Sequence, residues 1–433
     1  MGKLNIYDHD PIYSFFRPYV DWCCKKSYKR VEIKGEENLP DNGAVILAPN
    51  HCNTLMDALV VLRAFKDETV FGARADMFKN KTLAKLMFFL RIVPMVRQRD
   101  GLRNVLKNHE TTQIIADTLE NGVRFCMYPE GRHRPARSIM HLGKGIIRAA
   151  LASNEQFGDR KPVYIVPVGL EYGDYFRYRS TSLLTYGKPI NVTEFVRNTE
   201  VEHEAHLIDG IRSILKERMS SLITYIPDDE DLEPKWTLLK MLASREKRKG
   251  SLYDNMIANK KIAERIENRM KTDKESFKSL LERVRDFEAK RKRKGLSIYS
   301  FGKDDTAVRA AVKSLFSLIL MPWFVFCSIT SLPMWGIFEL LKTKIRDRAF
   351  HNTAGFAIKT AGGPVMFLIW AVTFFMLLPW YAAVPALMLT VPAYGSFYDC
   401  LRFFRRTVSD LKIAADPAIR KQYDSIINDF EKQ

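Results

Sequence analysis

Between residues 43 and 173, short apolar runs alternate with longer stretches of helical period, a pattern that predicts βα units around a mostly parallel sheet flanked by helices. Strands are expected at 44–48, 69–73, 92–96, 123–128 and 163–168. The stretch 102–119 puts Val105, Leu106, Ile114, Ile115 and Leu119 on one helical face and stops before Asn121-Gly122, an ordinary helix C-terminal signal. Residues 186–195 read as a further strand and turn, and 202–223 as another helix.

Outside this region the periodicity changes. Residues 11–25 mix Ile12, Phe15, Phe16, Tyr19, Val20 and Trp22 with Arg17, Lys25 and Lys26, which fits a helix with an aromatic, membrane-interface side or one packed on the domain's own core. From 227 to 313 the chain is charged, with one amphipathic stripe running from Leu252 through Met256, Ile262, Ile266, Met270, Phe277, Leu281 and Val284 to Phe287. Two stretches, 314–338 and 360–398, carry no charge and reach the length of a bilayer span. The second has Pro379 near its middle and is expected to form two spans joined there. The first, with Pro322 and Pro333, is expected to be a shallow re-entrant hairpin or a single crossing. Basic residues flank both stretches at 309–313, 342–359 and 402–412, and the positive-inside tendency puts all three clusters on the cytoplasmic side. The organisation expected is thus an amphipathic interface helix at 1–29, a catalytic domain at 30–226, a charged helical region at 227–313, transmembrane or re-entrant helices at 314–399 and a cytoplasmic tail at 400–433.

At 433 residues the chain exceeds what one hydrophobic core usually supports, in keeping with that division. The net charge of +18 favours polyanionic partners: nucleic acid, anionic lipid or phosphorylated substrates. The uncharged stretches decide for membrane lipid and against nucleic acid, and the basic run at 290–294 is then a cytoplasmic face toward lipid headgroups. The six cysteines show no C-x-x-C pair and no metal-ligand spacing with the eight histidines, which indicates a reducing compartment and no metal. The first ten residues lack a signal-peptide pattern, so the catalytic part is expected to face the cytoplasm from the cell membrane or another cytoplasm-facing membrane.

Two short constellations carry chemistry. Pro49-Asn50-His51-Cys52-Asn53-Thr54-Leu55-Met56-Asp57 follows an apolar strand and precedes a helix, where open parallel sheets gather ligands. A histidine there can accept a proton near neutral pH, with Asp57 fixing its tautomer. Alternatively, Thr54 and Asp57 form a capping box and Asp57 only complements the helix N-terminus. The second constellation, Tyr128-Pro129-Glu130-Gly131-Arg132-His133-Arg134, also follows an apolar strand, and its glycine and cluster of basic side chains suit a phosphate. Arg97 or Arg99, after the 92–96 strand, would emerge at the same sheet edge, and Val166-Pro167-Val168 reads as core.

In this order, the H-x-D-type block, the basic residue after a strand, the Pro-Glu-Gly turn and the Val-Pro-Val strand resemble the four blocks of the glycerol-3-phosphate and lysophosphatidate acyltransferase superfamily, over roughly residues 30–220. The resemblance implies an α/β domain of glycerolipid acyltransferase type; the hydrophobic and charge pattern of the residues after it adds the expected helical linker and membrane-embedded α-helical C-terminal region. It makes His51 the general base, Asp57 its orienting partner, Arg97 a phosphate contact, and Glu130 with Gly131 the acceptor-binding turn, with Arg132, His133 and Arg134 as the adjoining cations. It also implies direct acyl transfer without metal or organic cofactor, from an acyl-CoA or acyl-carrier-protein thioester to a phosphorylated glycerol acceptor. Lysophosphatidate is the first expected acceptor, then glycerol 3-phosphate, then another lysolipid or an amino-acid-linked lipid. A non-catalytic lipid-binding membrane scaffold is the rival of a different class. Three departures from the family pattern blur the acceptor: five residues separate His51 from Asp57 where four are commoner, Arg91 stands where glycine is usual, and Arg132-His133-Arg134 replaces Thr-Arg-Ser.

Overall fold

The strand Ala44–Pro49 is apolar throughout and buried at every position, as a central strand covered on both faces must be. In chain order the strands are β1 (Tyr28–Lys34), β2 (Ala44–Pro49), β3 (Thr69–Arg74), β4 (Ile92–Met95), β5 (Arg124–Cys126), β6 (Val163–Tyr172), β7 (Ser180–Tyr186) and β8 (Ile190–Asn191). They form one sheet in the order β1-β7-β6-β2-β5-β3-β4, with β8 paired to β6. Pairing is parallel except where β6 meets β7 and β8.

This computed structural model describes residues 5–432 apart from 66, 96–104, 200–202, 247–249 and 303–305. By its internal contacts the chain divides into two units, Met1–Ile223 with Asp347–Thr353, and Thr224–Arg346 with Ala354–Gln433. The first unit holds the sheet and the helices α1 (Pro11–Ser27), α2 (Leu55–Arg63), α3 (Lys81–Phe89), α4 (Val105–Glu120), α5 (Gly145–Phe157), α6 (Val192–Asn198) and α7 (Glu204–Ser221). Helix α1 buries Tyr13, Cys23 and Cys24 in the domain and leaves Ile12, Phe15, Phe16 and Trp22 exposed.

The second unit contains α8 (Leu232–Arg245), α9 (Leu252–Thr272), α10 (Lys274–Arg293), α11 (Thr306–Lys344), α12 (Ala349–Leu377), α13 (Trp380–Ala415) and α14 (Pro417–Glu431), the first residues of α12 excepted. The amphipathic stripe is real but belongs to two helices. Asp273 breaks it, and α9 and α10 bury Ile262, Ile266, Phe277, Leu281 and Phe287 in a core shared with α8, α14 and the end of α13. Buried Asp410 ties the start of α11 to the end of α13 through Arg309 at 3.2 Å and Lys313 at 2.7 Å.

Helix α11 corrects the re-entrant reading of 314–338, because it is one unbroken helix with Pro322 and Pro333 inside it. Proline removes one backbone hydrogen bond and bends a helix, but reversing a chain takes turn residues, and the immediate neighbours of both prolines are Met, Trp and Leu. The 360–398 stretch does break at Pro379, whose extended backbone (φ −63°, ψ 151°) separates α12 from α13. Residues Ala307–Lys344 and Ala349–Leu377 are long and apolar enough to cross a membrane, and they keep Leu315, Leu318, Leu368 and Met376 exposed, as a lipid-facing surface would be.

Candidate active site

Strand β2 ends at Pro49 and α2 begins at Leu55, so His51 stands on the turn at the carboxyl end of the central strand, and Asp57 lies in the first turn of α2. The geometry brings the two together: His51 Nδ1 lies 2.8 Å from Asp57 Oδ2. Asp57 is fully buried and accepts more than this bond. The backbone N–H groups of Cys52 and Asn53 donate to Oδ2 at 2.8 and 2.7 Å, and the Tyr172 hydroxyl donates to Oδ1 at 2.8 Å. A carboxylate accepting from all sides leaves Nδ1–H as the donor on the histidine, so the lone pair of neutral His51 sits on Nε2. The His51 side chain is only 17% exposed, and its ring stacks on Tyr128 with centroids 4.0 Å apart.

The capping-box alternative for Thr54 and Asp57 fails on one side. Thr54 makes no side-chain cap bond to α2, and its hydroxyl instead meets Thr353 Oγ1 at 2.7 Å and the Ala349 carbonyl at 3.2 Å. Asp57 does receive backbone N–H groups, but from the turn before the helix, so it orders the turn and orients the histidine with one carboxylate. Thr54 itself has φ +47°, a left-handed conformation costly for a β-branched residue and held only by its surroundings.

The Pro-Glu-Gly turn lies against the same backbone. Glu130 Oε1 accepts from the His51 N–H at 2.9 Å and Oε2 from the Met140 N–H at 3.0 Å, while Arg134 N–H donates to the His51 carbonyl at 2.9 Å. Both oxygens of Glu130 are thus engaged in bracing the His51 turn, and burial pushes its carboxyl above the ordinary range despite those bonds. Gly131 has φ +62°, which explains glycine at that point of the turn. Arg132 is exposed at the turn's surface. His133 approaches His51 edge-on with ring centroids 5.7 Å apart, and its Nε2 lies 2.9 Å from Asp347 Oδ2. Arg97 and Arg99 lie outside the described residues. Arg91, in the usual glycine's place, has φ +57°, the conformation glycine adopts freely, and its guanidinium is held by the Asp8 carbonyl and by Glu68, each at 2.6 Å.

Sequence reasoning missed several supporting residues. Asn50 clamps β2 to β6, accepting from Leu170 N–H at 2.6 Å and donating to its carbonyl at 3.1 Å. Tyr172 ends the Val-Pro-Val strand, four residues past Val168, and Tyr128 adjoins Pro129, so both had a positional signal. Asp347, some three hundred residues from Asp57, had none. Cys52 is buried, and desolvation together with the Asp57 charge pushes its thiol well above the ordinary value, which leaves no thiolate to act as a nucleophile near neutral pH. Among the described residues no cluster of three or more His, Cys, Asp or Glu is placed to hold a metal ion.

A buried carboxylate orienting a histidine, at the carboxyl edge of a parallel sheet and braced by a Pro-Glu-Gly turn, is an arrangement in which the histidine can accept a proton. Residues 30–171 match the protein-family model described as Acyltransferase, which marks that segment as an acyltransferase domain. Over 115 residues, 26% of this chain, it is 26% identical to an uncharacterized acyltransferase of Schizosaccharomyces pombe, of which the match spans only 17%. Among solved structures it is similar to the 1-acyl-sn-glycerophosphate acyltransferase of Thermotoga maritima, at 18% identity and TM-score 0.35, covering 50% of this chain and 83% of that one. A likeness of that size adds no weight to the family match.

Proposed function

We propose that this protein is a membrane acyltransferase of phospholipid biosynthesis that moves a fatty acyl group from acyl-CoA or acyl-carrier protein to 1-acyl-sn-glycerol 3-phosphate, giving phosphatidate. The observation that carries the reading is the 2.8 Å contact of His51 Nδ1 with buried Asp57, inside the segment that matches the acyltransferase family. His51 Nε2 takes the proton of the acceptor hydroxyl as that oxygen attacks the thioester carbonyl. The imidazolium so formed is stabilised by Asp57 and returns its proton to the departing thiolate. No acyl-enzyme forms, and neither metal nor organic cofactor is required.

Arg132, His133 and Arg134, with Arg97, supply the positive charge for the acceptor phosphate, while Glu130 and Gly131 shape the turn that presents it. Glycerol 3-phosphate and other lysolipids are the next acceptors in order. The two apolar helices and the exposed aromatic face of α1 support membrane attachment, with the catalytic unit on the cytoplasmic side. The scaffold alternative is disfavoured because a lipid-binding surface has no use for a histidine held in one tautomer by a buried carboxylate. Purified protein assayed with oleoyl-CoA against a panel of acceptors, beside His51→Ala, tests the reading; wild-type activity no greater than that of the variant on every acceptor would refute it.

A further inference from the structure

We infer that Asp347, in the short connector between the two apolar helices, is a positioning residue of the active site that holds His133 for the acceptor's phosphate. The inference rests on the reading above and adds to it a residue and a segment that the acyltransferase match at 30–171 does not include.

Residues Asp347–Thr353, the end of the connector and the first residues of α12, pack within the catalytic unit although α11 and the rest of α12 lie in the other. They grip the site at separate points on both of its turns. Asp347 uses its two oxygens differently: Oδ1 accepts from the Ala349 N–H at 2.9 Å and so caps α12, while Oδ2 meets His133 Nε2 at 2.9 Å. Phe350 sets its ring perpendicular to His133 at 5.3 Å. Asn352 donates to Asn53 Oδ1 at 3.4 Å and to the Tyr175 carbonyl at 3.3 Å, and Thr353 meets the strained Thr54 at 2.7 Å.

A lone ion pair with a half-exposed aspartate would be worth little to stability. The placement here has another consequence. With Nε2 bound to Asp347 and the ring plane fixed by Phe350, His133 has only Nδ1 to offer a ligand, and its ring stands 5.7 Å from that of His51. The two histidines form paired centres, each backed by a carboxylate. His51 with Asp57 handles the proton. His133 with Asp347, between Arg132 and Arg134 in sequence, holds an anionic group next to the reacting hydroxyl. With both nitrogens carrying hydrogen, the imidazole donates one N–H to Asp347 and the other to the phosphate. Precise placement of a phosphate adjacent to a reacting hydroxyl is the kind of orientation to which transfer rates are sensitive.

The test uses the full-length protein in vesicles, with oleoyl-CoA as donor and 1-oleoyl-glycerol 3-phosphate as the acceptor probe. Asp347→Asn keeps an oxygen to cap α12 and removes the charge, and Asp347→Ala removes both. Each is expected to raise the apparent KM for the acceptor about tenfold while changing that for oleoyl-CoA less than about twofold, as loss of a charge-assisted contact to one substrate does. Asp347→Glu should recover most of the loss. His133→Ala combined with Asp347→Ala should be no worse than His133→Ala alone, since one acts through the other. Equal rises in both KM values, additive effects in the double variant, or unchanged kinetics with only a lower melting temperature would each overturn the inference. If the wild-type protein transfers no acyl group to this acceptor, the functional reading itself fails; if it does and the Asp347 variants behave like it, only the role of Asp347 fails.

Discussion

The Tyr172 hydroxyl donates to Asp57 on the carboxylate oxygen that His51 does not use, at 2.8 Å. Tyr172 is fully buried, and burial with the neighbouring Asp57 charge pushes its phenol well above the ordinary range. It therefore serves as a fixed neutral donor at every working pH. Tyr172→Phe should lower kcat about tenfold with little change in either KM, because the histidine's orienting group loses one of its restraints. Steady-state kinetics on the purified variant check this, and an unchanged kcat would mean that the two backbone N–H groups alone fix Asp57.

His51→Ala is expected to lower kcat by about a thousandfold or more, the range in which loss of a general base falls. It should also melt somewhat lower, since the ring stacks on Tyr128 and bonds to buried Asp57, so the loss of kcat is to be read on protein shown to be folded. Asp57→Asn should lose most activity and also melt lower, because an amide cannot accept from the histidine, two backbone N–H groups and a tyrosine together. A variant that melts lower yet turns over at the wild-type rate would make Asp57 purely structural.

Cys52 adjoins His51 but is buried with its thiol held neutral. Cys52→Ala should retain at least about a third of wild-type kcat, and iodoacetamide at pH 7 should leave the folded enzyme active. Trapping an acyl group on Cys52 in a quenched reaction would replace the direct-transfer mechanism with a covalent one.

Glu130→Gln keeps the shape of the brace but turns one acceptor into a donor facing a backbone N–H. A loss of about 1–3 kcal/mol in stability is expected from that mismatch, with kcat falling because the His51 turn loosens. Thermal melting against urea titration measures the first effect. An effect confined to acceptor KM would return Glu130 to a direct ligand role.

The segment Asp347–Thr353 also bears on sidedness, since it packs with the catalytic unit only a few residues after Thr343 in the chain. Single cysteines at Thr343 and at exposed Asn121 should therefore react with an impermeant thiol reagent from the same side of sealed vesicles. Labelling from opposite sides would contradict the packing of the connector.

The central strands were legible because burial on both faces removes polar residues, so β2 and β6 announce themselves. β1 was hidden because Tyr-Lys-Arg-Val-Glu-Ile-Lys reads as charged surface, which is what an edge strand shows. β7 was hidden because Ser-Thr-Ser-Leu-Leu-Thr-Tyr carries too many hydroxyls to stand out as core. His51 and Asp57 were legible through spacing and placement, since one turn of backbone joins them. Asp347 was not, because nothing local in Arg346-Asp347-Arg348 marks a residue whose partner is His133.

Thr54 and Asn53 meet residues from beyond position 346, so the catalytic unit is not a contiguous piece of chain. A fragment ending near residue 223 would be expressed with the sheet complete but with Thr54 and His133 stripped of their braces. Proteases that cut only after residue 353 would leave the catalytic turns supported, whereas a nick between 344 and 353 would inactivate without releasing any part of the sheet.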